Sequence, residues 1–141
     1  MPLSVLGAGL VLAGCAGRGT PSQQVRAWAA ASGWDATLRQ LQGDLAKVAA
    51  LGPDSASPAR RTLCDVLVTD ALAANEQLPT PDDRFTRLLS GAYTSAATAG
   101  HHCFSGGDGL AEAPAEARGA ARTLLEADAR YDELVSSLPA P

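Results

Sequence analysis

Apolar residues recur along this chain at helical spacing, in stretches separated by glycine and proline. Trp34, Leu38, Leu41, Leu45 and Val48 step by four and three. That spacing lines one face of a helix and turns Asp35, Arg39, Gln42, Asp44 and Lys47 elsewhere. Gly52-Pro53 stops it. Upstream, Val25, Trp28 and Ala29 support only a helical turn or two, bent at Gly33. A second helix opens with Ser57 as its cap and Pro58 at the first helical position. Its inner stripe is Leu63, Leu67, Ala71, Ala74 and Leu78, flanked by Cys64 and Val68, until Pro79-Thr80-Pro81 breaks it. Thr80 caps the third helix, with Asp82 and Asp83 at its positive end. Phe85, Leu88, Leu89, Ala92, Ala96 and Ala99 face inward there, and Gly100 marks the expected stop. In the fourth helix Ala117, Leu124, Tyr131 and Leu138 recur every seven residues, with Ala120, Ala127 and Leu134 interleaved. Glu126 and Arg130 form a surface pair one turn apart, and Pro139 ends the helix. Four amphipathic helices with short connections and no competing strand pattern predict an all-α, up-and-down four-helix bundle.

Composition agrees with that reading. Aromatics make up only 4% of the 141 residues, so the core must come from Leu, Val and abundant Ala. Alanine has the highest helix propensity and lets helices approach closely. The length suits one domain. A net charge of −4, with eleven Lys and Arg scattered among fifteen acids, leaves no basic stripe. Nucleic acid is therefore not an expected partner.

The first 14 residues carry no charge and end in Leu12-Ala13-Gly14-Cys15. The apolar run is too short to span a membrane, which takes roughly 20 residues, but it suits the core of a secretory signal. The tetrapeptide matches a lipobox. Leu12 supplies an apolar contact, Ala13 and Gly14 allow close approach at the cut, and the Cys15 thiol takes diacylglycerol as a thioether. No Lys or Arg precedes the run, a departure from the usual positive start of a signal. The expected organisation is a cleaved signal over 1–14, a lipidated cysteine and flexible tether over 15–22, and a helical domain over 23–141. The partner so implied is the membrane, reached through covalent lipid at its outer, extracytoplasmic face.

Cys64 and Cys103 are then the only other thiols, and export would place them in an oxidising setting. A disulfide between them is expected. A straight hairpin turning near Pro79 would hold them too far apart, so the third helix is expected to end near Gly100 and the chain to fold back. His101 and His102 adjoin Cys103, but neighbours on a helix point about 100° apart. They read as exposed histidines at a helix end, and no metal or cofactor is assigned. Asp82 and Asp83 are helix-start residues, while Asp65 and Asp70 fall on different, solvated faces. Asn75 is expected to hydrogen-bond carbonyls of the turn that follows it, and Trp28 and Trp34 to pack in the core. No set of residues suggests catalysis.

The stretch Cys64 … Asp70 … Ala74-Asn75 … Leu78-Pro79-Thr80-Pro81-Asp82 … Leu88-Leu89-Ser90 … Ala92-Tyr93 … Cys103, together with the lipobox, resembles uncharacterised small lipoproteins of high-GC Gram-positive bacteria. The resemblance implies a membrane lipoprotein with a two-cysteine helical domain, and it brings no catalytic residues. The reading that follows is a non-catalytic envelope interaction or structural protein whose protein or small-ligand partner is open. The alternative is an extracytoplasmic binding module for a small apolar ligand or a metal.

Overall fold

The computed structural model describes residues 19–55 and 57–137, and every element in it is a helix. In chain order these are α1 (Pro21–Ser32), α2 (Trp34–Ala49), α3 (Ser57–Asn75), α4 (Asp83–Ser105) and α5 (Asp108–Ser136). Helices α2 to α5 form the expected bundle: each packs on its neighbours in sequence, and α5 closes the ring against α2. The fifth helix is α1, packed mainly on α5. No described helix is long and apolar enough to cross a membrane.

The extra helix starts inside the stretch read as tether. Thr20 caps it, accepting from the Gln23 amide while the Gln23 side chain reaches back to the Thr20 amide, and Pro21 takes the first position. Helix therefore begins two residues ahead of the expected boundary at 23. Ser22 is already buried, and its hydroxyl donates to the Val135 carbonyl, which joins the start of α1 to the end of α5. Gly33 ends α1 and begins α2 in a left-handed conformation (φ 68°) that an L side chain resists, so the chain changes direction within one residue.

Alanine fills much of the core. Ala113, Ala117, Ala120 and Ala127 of α5 face Ala92, Ala96 and Ala99 of α4, with Leu67, Leu89 and Leu124 between the layers. One end is closed by aromatic rings. Trp34 and Phe85 are fully buried with centroids 5.4 Å apart, edge to face. Trp28 and Tyr131 complete the cluster, in the offset and edge arrangements that aromatic quadrupoles favour. Both tryptophans thus pack in the core, as expected, and Trp28 also donates its Nε1–H to the Gln77 carbonyl at 3.0 Å.

Several local expectations are corrected. Asp82 rather than Thr80 caps α4, its carboxylate accepting from the Phe85 amide at 2.7 Å. Thr80 is buried just ahead, where its hydroxyl meets the Asp82 amide and the Thr86 hydroxyl, so both residues shape the turn. Leu67, Ala71 and Ala74 of α3 are buried as expected, but the first inner position is Cys64, fully buried, and not Leu63, which is only partly so. Ser57 is the first residue of α3 itself. Asn75 is exposed, and its backbone carbonyl, accepting from the Leu78 amide, serves the turn in place of its side chain. Arg130 pairs across helices with Asp82 instead of with Glu126. The guanidinium holds Asp82 below the usual carboxylate range and ties the start of α4 to α5.

The largest correction concerns Gly100. Helix α4 runs through it to Ser105. A Cβ at that position would lie 2.6 Å from Val68 Cγ2 and 3.0 Å from the Cys64 carbonyl oxygen, so Gly100 is where α4 touches the backbone of α3. From there the helix carries Cys103 to Cys64 without folding back. Cys103 lies about 30 Å along α4 from its start and Cys64 about 17 Å before the end of α3, at 1.5 Å rise per residue. The connection 76–82 absorbs the difference, setting α4 beyond the end of α3.

Candidate functional site

Two polar constellations stand out, at two different seams of the bundle. The first lies between α2 and α3. Asp44, expected on the outer face of α2, is buried. Its carboxyl faces Asp70 of α3, which accepts from Gln40 Nε2 at 2.7 Å. Burial first, and then the hydrogen bond and charge of Asp70, push Asp44 up to about 6, against a weaker pull from Lys47. Asp44 Oδ2 is buried without a hydrogen-bond partner among the described residues. Asp70 also lines an open notch of about 180 Å³ with Thr37, Gln40 and Gln77. Near its floor Trp34 Nε1 is buried without a partner among the described residues, and Tyr93 is held neutral by burial.

The second constellation lies at the mouth of the α4–α5 hairpin. Cys64 and Cys103, both fully buried, meet there at disulfide distance, with Cα atoms 5.6 Å apart. The preceding residue, His102, projects the other way, toward α5. Its Nδ1 lies 2.8 Å from both carboxylate oxygens of Glu116. Glu112, one turn earlier on α5, brings a carboxylate oxygen into the same cluster, and the three donor atoms lie within 4.8 Å of one another. His101 points to solvent and takes no part. Two features create this closeness. Gly106 and Gly107 turn the chain with positive φ, and Gly109 passes so near α4 that a Cβ there would sit 3.2 Å from the His102 carbonyl.

The best-formed hollows among the described residues are surface clefts open to solvent. The most apolar one, about 550 Å³, runs between Leu51 and Pro53 on one side and Leu110, Ala111 and Pro114 on the other. It lies at the hairpin end, away from the aromatic cluster.

The structure brings together Cys64 and Cys103 as expected. Leu12, Ala13, Gly14 and Cys15 lie outside the described residues, as do Leu138 and Pro139. The sequence reading missed the Asp44–Asp70 contact and the partners of His102. Glu112 and Glu116 are spaced by four on one helix, which was a readable signal. Their convergence with a histidine fourteen positions from Glu116 was not. Comparison with protein-family models, curated proteins and solved structures finds no match to this chain.

Proposed function

We propose that this chain is an exported bacterial lipoprotein. It is held by lipid on Cys15 at the outer face of the cell membrane and acts there without catalysis, as an envelope interaction or structural protein. The observation that carries the reading is the juxtaposition of Cys64 and Cys103 in a chain whose remaining cysteine ends a charge-free apolar run. A buried disulfide of this kind belongs to an oxidising compartment. Leu12-Ala13-Gly14 before Cys15 supplies the residue types that lipid transfer and cleavage require, and two or more acyl chains hold a protein stably where one does not. The interaction role draws on the core, which is filled by alanine and leucine, and on the open apolar cleft at the hairpin end.

Intact mass of the protein recovered from native membranes tests the reading. The expected product lacks the first 14 residues, carries diacylglycerol on Cys15, and is lighter by two hydrogens than its reduced form. Cys15→Ser is expected to leave the precursor unprocessed or free it from the membrane. A full-length, unacylated, reduced chain in the cytosol would overturn the assignment.

A further inference from the structure

From the geometry at the hairpin mouth we infer that His102, Glu112 and Glu116 form a binding site for one divalent transition-metal ion of the zinc class. The inference is independent of the lipid anchor.

One imidazole and two carboxylates make a donor set that suits zinc, with three protein ligands and an open fourth position. The backbone is built to hold them. Glu112 and Glu116 are one turn apart on the same face of α5, and His102 faces them from α4. Two things fix the distance between the two helices at this level, the two-glycine turn and the close passage of Gly109, while the pairing of Cys103 with Cys64 ties α4 to α3 next to His102. Donors around a tetrahedral zinc sit about 3.3–3.6 Å apart, given bonds of about 2.0–2.2 Å. The His102–Glu116 pair at 2.8 Å is close to that already, and Glu112, exposed on its turn, has room to swing in.

The apo arrangement leaves charge unbalanced. Glu112 and Glu116 repel one another at this spacing. Among the described residues no Lys or Arg forms an ion pair with either, and His102 contacts Glu116 alone. A divalent cation resolves that repulsion, taking the place of the proton between His102 Nδ1 and Glu116, which leaves to solvent. Its fourth position faces water, because the site lies at the surface.

Full-length protein carrying Cys15→Ser, which removes the thiol outside the Cys64–Cys103 pair, is titrated with Zn²⁺ by calorimetry. Co²⁺ serves as the spectroscopic probe. The expected result is one ion per chain, a Co²⁺ visible spectrum of low coordination number, and a zinc-dependent rise in melting temperature. His102→Ala is expected to weaken zinc binding at least roughly 100-fold, beyond the 10–100-fold typical of outer-shell changes. Glu112→Gln is expected to weaken it at least tenfold, and His101→Ala to leave it unchanged. Circular dichroism should be the same for all of them, since none of these side chains is in the core. Zinc affinity unaltered by His102→Ala, an equal loss with His101→Ala, or Mg²⁺ or Ca²⁺ binding as tightly as Zn²⁺ would each overturn the site.

Discussion

The two seams that flank α3 are built on opposite principles. Between α3 and α4, and on into α5, side chains shrink to alanine and glycine, Gly100 touches backbone, and two cysteines meet. Between α2 and α3 the helices enclose a carboxyl group that wants a proton and leave an open polar notch beside it. Close packing gains dispersion contacts and excludes water, whereas a buried carboxylate carries a desolvation cost unless it is protonated, paired or hydrogen-bonded. Close packing in this bundle is thus concentrated on one side of α3.

Breaking the tight seam should have the largest effect. Replacing both Cys64 and Cys103 with alanine is expected to lower unfolding stability by about 4 kcal/mol, the chain-entropy value for a loop of this length. Urea denaturation under non-reducing conditions measures it, and a loss near zero would mean the two sulfurs are not joined.

The loose seam should respond with the opposite sign. A carboxyl whose native value is raised above that of the unfolded chain favours the native state when protonated. Asp44 therefore contributes stability below about pH 4, and the contribution is lost as pH rises to about 6. Asp44→Asn is expected to raise stability at pH 7 by about 2 kcal/mol and to flatten the stability profile between pH 4 and 6. Parallel profiles for the two proteins would show that Asp44 is not the titrating group.

The finest comparison uses one substitution at two places on α4. Gly100→Ala drives a methyl into Val68 and the Cys64 carbonyl, and is expected to cost about 2 kcal/mol. Gly91→Ala meets nothing nearer than Thr123 Cγ2 at 4.0 Å, so helix propensity prevails and stability should rise by up to about 1 kcal/mol. Thermal melts of the pair read both signs at once.

Gly100 also shows where sequence stops being informative. A glycine late in a helical stripe reads as a stop, and only the neighbouring helix reveals that it is a point of contact. The stripes themselves were legible, because Leu and Ala at steps of three and four leave few alternatives. Helix α1 could have been found from Thr20-Pro21 and Gln23, a capping signature that outweighs its sparse apolar residues. Thr80 and Asp82 are both good caps two positions apart, and local chemistry does not choose between them. Asp44 and the partners of His102 depend on which residues of distant segments meet, and a single helix pattern carries no such information.

The hydrogen bond from Ser22 to Val135 puts the start of α1 and the end of α5 at one pole, and α5 spans about 43 Å from there to the hairpin mouth. An epitope grafted near Gly107 would therefore be displayed a full helix length away from anything joined to the start of α1.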